Sequence, residues 1–289
     1  MTLSVVTHSG PFHADDVLAW ALVRTFFTAD AKITRTRDAA VIAAADLVFD
    51  VGGSFDPLTK RFDHHQGTYQ GPLSSAGMVL DWLAAAAHVD DRTANALREQ
   101  LVTYVDAVDN GRRPPQPDVP CFARIVDAYN RGCRSLPEFD AQFSNAAVFA
   151  EAYVRGIAAA VDEERHAESV VSAAMDRCAA DGTRVLQFDE HVRWKPIYFA
   201  LGGADHPSDY VLYPAPDGSW QVLGIPPVLD SFAQKRPLPE EWAGLVDGAL
   251  EAVIGVPGAK FCHKNLFIAV FHTREAAVES LSRWDRFPR

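Results

Sequence analysis

The sequence predicts an α/β protein: an N-terminal domain with a parallel sheet and flanking helices, followed by a smaller C-terminal α+β domain. Two observations predict this fold class. In the first half of the chain, short β-branched or apolar runs alternate with helical stretches, which is the pattern of a parallel sheet covered by helices. After Asp181-Gly182, the chain changes to short strand-like runs separated by turn residues.

Three strands and three helices are predicted in the first half. The strands are residues 3–7, 32–35 and 47–51, and the third leads into Gly52-Gly53, where the backbone can turn sharply. Apolar residues at the spacing of one helix face predict helices over 14–27, from Ser74 or Ser75 toward Ala87, and over 92–109. Asn110-Gly111 is typical of a helix C-terminus, and the proline-rich stretch 112–120 predicts a loop.

The rest of the chain predicts a helical connector and a strand-rich domain. Residues 143–178 contain no proline and one glycine, which predicts long helices that bridge two domains. Strands are expected at 184–188, 210–213, 220–225, 260–262 and 266–271, with a hairpin turn at 216–219 and a closing helix at 273–284. The predicted domains are therefore residues 1–142, 143–180 and 181–289.

The composition limits the classes of function. The net charge of -11 argues against a protein that coats long nucleic acid, because such binding depends on clustered Lys and Arg. A small phosphate ester as substrate remains compatible with this negative charge, since bound cations supply positive charge locally and need acidic ligands. We expect a cytoplasmic protein, because the four cysteines are scattered and no basic leader is present. We expect no membrane partner, because the sequence lacks a long apolar run.

Histidine and aspartate residues follow the predicted strands at the point where each strand ends. His8 comes directly after the first strand, with His13 and Asp15 before the crossover helix. Asp50 lies at the end of the third strand, and Asp63-His64-His65 follows one loop later. Because ligands bind outside the carboxyl ends of parallel strands, we expect these side chains to converge at one edge of the sheet.

These residue types indicate a metal site. Imidazole and carboxylate ligands suit manganese, zinc, iron or magnesium. Two such ions about 3.5–4 Å apart, sharing one carboxylate, hold the attacking and leaving oxygens of a displacement at phosphorus. A single histidine at a strand end is more often a hydrogen-bonded loop residue, and Asp15 alone could be a helix cap, so the prediction depends on the joint pattern.

The same segments resemble a known family. The motifs are Thr7 to Asp16, Asp50 to Gly53, Arg61 to Gln66, Ser74 to Gly77 and Asp106 to Gly111, and the resemblance reaches into the C-terminal half at 217–220 and 238–242. They are similar to the Myg family, a branch related to the DHH phosphoesterase superfamily whose members have also been labelled metal-dependent protein hydrolases. The resemblance implies a DHH-like catalytic domain at the N-terminus and a substrate-binding domain at the C-terminus.

The resemblance also implies two divalent cations, with manganese as the expected metal, and a set of ligands for them. One ion would be held by His8, His13 and Asp50, and the other by Asp15, Asp50, His64 and an aspartate of the 106–111 motif. That aspartate is either Asp109 or Asp106, which lie three residues apart near a helix end and can face the same side. We favour Asp109 and expect Asp106 to support a ligand histidine.

His65 is assigned to the substrate phosphate or the leaving oxygen rather than to a metal, because adjacent histidines face different directions. The nucleophile would be a water activated by the metal pair, with no covalent enzyme intermediate. Together with Asp50, which would bridge the two ions, His65 is therefore a predicted catalytic residue. Asp63 either orients a neighbouring histidine or stabilises the local turn.

In the C-terminal domain, the resemblance implies a glycine-rich turn and basic residues that grip the substrate. Ala269 and Val270 stand where relatives tend to have paired glycines, and their side chains are expected to hinder a close backbone approach to substrate. His263, Lys264 and Arg274 are expected phosphate contacts, and the alternative is that they are solvated surface charges.

The predicted function is that of a metal-dependent hydrolase of the phosphodiesterase or exonuclease class, acting on a short oligonucleotide or a nucleotide, with RNA preferred. Two alternatives stay open: a metal-dependent protein or peptide hydrolase, and a non-catalytic protein whose metal ions have no open coordination position. A homodimer is the assembly considered for the chain.

Overall fold

The computed structural model describes residues 2–284, which form a mixed α/β fold with parallel strands and many helices. The chain divides into two compact units, Met1–Asp162 and Glu163–Arg289. Each unit contains its own five-stranded sheet. The finer division into 1–142, 143–180 and 181–289 stays a prediction.

The sheet of the first unit places three strand ends at one edge. Its strands are β1 (Leu3–Thr7), β2 (Ala31–Arg35), β3 (Leu47–Phe49), β4 (Phe55–Asp56) and β5 (Arg61–Phe62), in the order β2-β1-β3-β5-β4. β1 pairs in parallel with β2 and β3, and β3 pairs in parallel with β5, whereas β4 is antiparallel to β5. The carboxyl ends of β1, β3 and β5 therefore meet at the same edge.

Six helices precede the long helix that continues into the second unit. They are α1 (Ala14–Leu22), α2 (Ala39–Ala44), α3 (Ser75–Ala85), α4 (Asp91–Leu97), α5 (Thr103–Asp109) and α6 (Phe122–Asn130). A π-helical turn, Val23–Phe27, continues α1, and a second, Arg98–Val102, joins α4 to α5. The helices predicted over 14–27 and 92–109 are therefore present, with local changes of winding that apolar spacing does not reveal.

Helix α1 is the central helix of the first unit. All nine of its residues are buried, and its apolar side chains pack in one core with those of β3, β5 and α3. Two of the buried residues are Asp15 and Asp16. The first turn of a helix favours carboxylates, but their complete burial requires compensating partners.

The second unit has the strand-rich character that the sequence predicts. Helix α7 (Leu136–Ala180) is one continuous helix of 45 residues, and its residues from Glu163 onward belong to this unit. The strands are β6 (Val185–Gln187), β7 (Tyr210–Pro214), β8 (Trp220–Gly224), β9 (Ala259–Cys262) and β10 (Ile268–Phe271), in the order β6-β7-β8-β10-β9. β6 and β7 are parallel, and the other neighbouring pairs are antiparallel.

The remaining elements of this unit are α8 (Trp194–Ala200), a 3-10 turn (Glu240–Trp242), α9 (Asp247–Ile254) and α10 (Arg274–Trp284). The predicted hairpin turn joins β7 to β8, and Gly218 supplies the positive φ of 82° that this turn requires. Within residues 2–284, none of the helices combines the length and the apolar character needed to cross a bilayer.

Several elements of the structure are not predicted by the sequence. Strands β4 and β5 have two residues each, too few to show an alternating pattern. The third strand stops at Phe49 rather than at Val51, because Asp50 turns into the left-handed region with a φ of 55°. An aspartate tolerates this conformation better than most residues do, and the turn takes its side chain out of the strand.

Candidate metal centre

The structure brings the predicted histidines and aspartates together at one edge of the first sheet. His8 follows β1, Asp50 follows β3, and His64 follows β5 by two residues. Helix α1 contributes Asp15 from its first turn, and Asp109 is the last residue of α5. Three parallel strands and two helix ends thus supply one cluster, which is the arrangement that the strand-end pattern predicts.

Asp50 lies between two histidines. Its Oδ2 is 3.2 Å from Nε2 of His8, and its Oδ1 is 3.4 Å from Nε2 of His64. The same nitrogen of His64 lies 3.1 Å from Oδ2 of Asp109 and 3.7 Å from Oδ2 of Asp15. Asp50 is therefore the carboxylate that both histidines share.

The ligand atoms are close enough to hold cations. In each of four overlapping groups, one ligand atom from every member lies within 4.8 Å of the others. The groups are His8, His13 and Asp50; Asp50, His64 and His65; His13, Asp15 and Asp109; and Asp15, Asp16 and Asp50. Oxygen and imidazole donors of this kind suit manganese, iron, zinc or magnesium.

Buried polar atoms of the cluster have no hydrogen-bond partner among the described residues. They are Nε2 of His8 and His64, both carboxylate oxygens of Asp15, Oδ2 of Asp16 and Oδ2 of Asp50. Some of these atoms lie within 3.2 Å of each other, as Nε2 of His8 and Oδ2 of Asp50 do, but without the angles of a hydrogen bond. Because unpaired buried charge is costly, the cluster fits bound cations, which would satisfy these atoms together.

The charges of the cluster shift the pKa values of its members in opposite directions. Burial and the neighbouring carboxylates of Asp50 and Asp109 raise the pKa of Asp15 well above its usual value. Although burial opposes ionisation of Asp50, its contacts with His64 and His8 hold the pKa of that carboxyl below its usual range.

The pKa values of the two histidines respond to neighbouring carboxylates, of which Asp50 is common to both. Burial alone lowers the pKa of His8, but Asp16 and Asp50 outweigh it and raise that pKa to about 10. Asp109 and Asp50 likewise outweigh burial and raise the pKa of His64 to about 10. Crowded carboxylates with too little positive charge produce these shifts, and bound metal ions would supply the missing charge.

The outer nitrogens of both central histidines face hydrogen-bond acceptors. Nδ1 of His8 lies 3.2 Å from the carbonyl oxygen of Ser9, and Nδ1 of His64 lies 3.2 Å from Oδ1 of Asn110. The amide of Asn110 is itself fixed, because its Nδ2 donates to the carbonyl oxygens of Pro72 and Asp106. Nδ1 therefore donates a hydrogen bond in each ring, and Nε2 faces the cluster as a ligand must.

The loop between His8 and His13 is held from both sides by residues that sequence reasoning missed. Arg35 donates to the carbonyl oxygen of Gly10 at 2.7 Å. Asn130 binds both backbone groups of Phe12, accepting from its N–H at 3.1 Å and donating to its carbonyl at 2.7 Å. Arg35 comes from β2 and Asn130 ends α6, so neither lies near the loop in the sequence.

Asp16 is a third residue that the site assignment missed. Its Oδ1 accepts from the backbone N–H of His13 at 2.9 Å, and its Oδ2 lies 3.2 Å from Nε2 of His8. The sequence contains a signal for it, since Asp16 stands beside Asp15 in the first motif. The side chain thus joins both ends of the loop that runs from His8 to His13.

Asp106 and Asp109 separate clearly in the structure. The carboxylate of Asp106 accepts from Ser74 through both N–H (3.0 Å) and Oγ (2.7 Å) and from the N–H of Gly77 (3.1 Å), which ties α5 to the start of α3. A Cβ at Gly77 would collide with that carboxylate. Asp109 lies beside His64, whereas Asp106 belongs to none of the ligand groups found among the described residues.

Asp63 has both of the roles considered for it. Its Oδ1 lies 2.8 Å from Nδ1 of His65, and its Oδ2 accepts from the backbone N–H of Gly53 at 2.6 Å. The ring of His65 stays 60% exposed. Asp63 therefore orients a histidine and stabilises the turn after β3 at the same time.

The predicted substrate contacts of the C-terminal half do not form one group. His263 and Lys264 lie in the turn between β9 and β10, whereas Arg274 begins α10, after the other end of β10. Arg274 donates to Oε1 of Gln187 at 3.0 Å. Ala269, one of the two residues in place of the paired glycines, is buried in the middle of the sheet.

Comparison with known proteins identifies the family. The model MYG1_exonuc, described as "Uncharacterised protein family (UPF0160)", matches residues 4–282. The chain is 39% identical to the MYG1 protein of Chlamydia pneumoniae over 283 residues, which cover 96% of this chain and 95% of that protein. It is 33% identical to the MYG1 exonuclease of Mus musculus (94% of this chain and 82% of that protein) and 32% identical to the MYG1 exonuclease of Homo sapiens (94% and 83%), each over 315 residues. As its motifs predict, the chain belongs to the MYG1 family.

Proposed function

We propose that this protein is a metal-dependent phosphoesterase of the DHH-like kind that hydrolyses phosphodiester bonds in short oligonucleotides, with RNA preferred over DNA. The observation that carries the proposal is the set of buried imidazole and carboxylate atoms around Asp50 that no described protein group satisfies. The mammalian relatives that are named exonucleases support a phosphodiester substrate.

Two divalent cations, with manganese as the expected metal, would occupy the cluster. His8, His13 and Asp50 would hold one, and Asp15, Asp50, His64 and Asp109 the other. When bound, the cations neutralise charge on the phosphate and lower the pKa of water. The protein holds Nε2 of both central histidines toward the cluster, and it keeps Asp50 between them.

An opening beside the cluster supports a catalytic rather than a closed structural site. A cavity of about 330 Å³ has His13 and Asp109 among its lining residues, and apolar side chains such as Phe12 and Val108 form other parts of its wall. Structural metal sites are fully closed by protein ligands, whereas catalytic sites keep a position open for substrate. We therefore assign this cavity to the substrate.

His65 would contact the phosphate or the leaving oxygen. Its ring is the most exposed of the histidines that face Asp50 or Asp63, and the bond to Asp63 fixes its orientation. With Nδ1 directed at the carboxylate, Nε2 is the nitrogen that could reach a substrate. The residue would thus bind the reacting group and act as a proton donor to it.

The direct test is an activity screen of the purified protein with manganese and with a chelator. We expect release of mononucleotide from short end-labelled RNA, slower release from DNA of the same sequence, and no release with the chelator or from the Asp50→Asn variant. Cleavage of chromogenic peptides without cleavage of phosphodiesters would contradict the proposal and favour a peptide hydrolase.

A further inference from the structure

The unit Glu163–Arg289 contains a cavity of about 500 Å³ with aromatic walls. Four aromatic side chains line it: Trp194 from the start of α8, Tyr213 from β7, Phe232 from the loop after β8, and Phe267 from the turn before β10. None of the lining residues belongs to the ligand set of the metal centre. The cavity therefore needs an explanation of its own.

Three of the rings are held in place by the surrounding structure. Trp194 is buried, and its ring lies edge-to-face against the ring of Tyr198 at 6.0 Å, centroid to centroid. The ring of Tyr213 lies 5.9 Å from the ring of His191. The ring of Phe267 lies 4.4 Å from the ring of His263, centroid to centroid. These contacts fix flat apolar surfaces before any ligand binds, which reduces the entropy that binding would cost.

Phe232 is different, because its side chain is 99% exposed. A phenylalanine this exposed contributes almost nothing to the core, and it lies at the mouth of a cavity lined by three other rings. Its neighbour Gln234 fixes the local backbone by donating from Nε2 to the carbonyl oxygen of Phe232 at 2.7 Å. The exposed ring is thus presented on a constrained loop.

The polar side chains that line the cavity include amides, a hydroxyl and a cation but no acid. Gln234, Asn265 and Lys195 line it, and none of its lining residues is an aspartate or glutamate. This local composition contrasts with the net charge of -11 for the whole chain. Among residues 2–284, no carboxylate forms an ion pair with Lys195. The turn that supplies Asn265 also supplies His263 and Lys264, which the sequence predicts as phosphate contacts.

We propose that this cavity binds one unpaired base of a single-stranded nucleic acid together with its phosphate, a proposal that rests on the phosphodiester substrate named above. Aromatic faces stack on any base, side-chain amides can pair with base edges, and a lysine attracts the phosphate. An apolar peptide would use the rings but would gain nothing from an unpaired cation. The chemistry of the cavity therefore favours a nucleotide.

The test is titration calorimetry of the full-length protein with unlabelled single-stranded hexanucleotides in the presence of a chelator. Without metal there is no hydrolysis, so binding is measured apart from catalysis. We expect Phe232→Ala to weaken binding by roughly 5-fold to 100-fold, the range of one lost stacking contact. Lys195→Met is expected to weaken binding and to reduce its dependence on salt, as the loss of a phosphate contact does.

Matched variants on the first unit serve as controls. Leu58→Ala removes a side chain that is 95% exposed, and Lys32→Met removes an exposed lysine of β2, and neither is expected to change the affinity. The proposal is overturned if the wild-type protein has no affinity for the hexanucleotides, or if Phe232→Ala and Lys195→Met bind them like the wild type. It is also overturned if an apolar peptide does not displace the hexanucleotide but binds the protein in a way that depends on Phe232. If the wild-type protein binds the hexanucleotides as expected but hydrolyses no RNA in the manganese assay, the result contradicts the proposed function and not the binding proposal.

Discussion

Asp63 holds His65 through a hydrogen bond of 2.8 Å between its Oδ1 and the ring Nδ1. The carboxylate is buried and the ring is 60% exposed, so a fixed group orients a ring that faces solvent. Because an ionised carboxylate can only accept, Nδ1 donates and Nε2 is left for another partner. This relationship separates His65 from His8 and His64, whose Nε2 atoms face the carboxylates of the cluster.

His65→Ala is therefore expected to retain both cations and to lower kcat by about 10²-fold or more, the usual effect of losing a proton donor. Metal content by plasma emission and turnover of a short RNA, measured on the same preparation, check this prediction. The loss of a cation from the variant would place His65 among the ligands, an arrangement that its grouping with Asp50 and His64 also permits.

Asp106→Ala should lower the stability of the protein, whereas Asp109→Ala should lower its metal content. The first leaves the N–H and Oγ of Ser74 and the N–H of Gly77 without their acceptor, and each buried donor that stays unpaired costs about 1–3 kcal/mol in the free energy of unfolding. Metal content should not change. Asp109→Ala should retain most of the stability and lose one cation. Denaturant titration and metal analysis of both variants test this prediction. Loss of a cation from Asp106→Ala, with the metal content of Asp109→Ala unchanged, would make Asp106 the ligand.

Arg35 and Asn130 are expected to act on the metal centre through the loop that they hold. Their hydrogen bonds to Gly10 and Phe12 fix the backbone between His8 and His13. Residues that position metal ligands typically contribute about 10- to 100-fold to metal affinity. We predict losses in that range for Asn130→Ala and Arg35→Met, measured by manganese titration.

Asn145→Ala, which removes an exposed asparagine from α7, is the matched control for Asn130→Ala and should bind manganese normally. Circular dichroism establishes whether each variant is folded. A folded Asn130→Ala variant with the affinity of the wild type would show that the loop does not depend on this bond.

Manganese affinity should rise with pH. The surrounding carboxylates raise the pKa of His8 and His64 to about 10 in the metal-free protein, so both rings carry an extra proton at neutral pH. Each ring must release that proton before Nε2 can bind a cation, and a lower pH therefore favours the proton over the metal. Calorimetry between about pH 6 and 8, in buffers of different ionisation enthalpy, counts the protons released. Metal binding without proton release would contradict this prediction.

The sequence predicts that His8, Asp50 and His64 converge because their convergence depends on topology. His8, Asp50 and His64 each follow a strand, and strands that run in parallel end at one edge. The pattern of β-branched residues is enough to locate β1 and β3, whose residues are largely buried. What a strand pattern cannot show is the left-handed turn at Asp50, because that conformation depends on the surroundings of a single residue.

The supporting residues could not be predicted for a related reason. Arg35 lies 25 residues from Gly10, and Asn130 lies 118 residues from Phe12. Neither residue belongs to a local motif that would indicate its role, which arises when the tertiary structure places it beside the loop. Likewise, the spacing of Asp106 and Asp109 permits either one to face His64, and only the packing of α5 against the start of α3 separates them.

The most direct test of the account is the metal content of the wild-type protein and of Asp50→Asn, with Asp118→Asn, a change in an exposed loop, as the control. After loading with manganese and removal of free metal, we predict about two ions per chain for the wild type and for the control. For Asp50→Asn we predict loss of both ions and of turnover, because Asp50 faces both histidines. Wild-type protein that retains no manganese, or an Asp50→Asn variant that keeps two ions, would contradict the account.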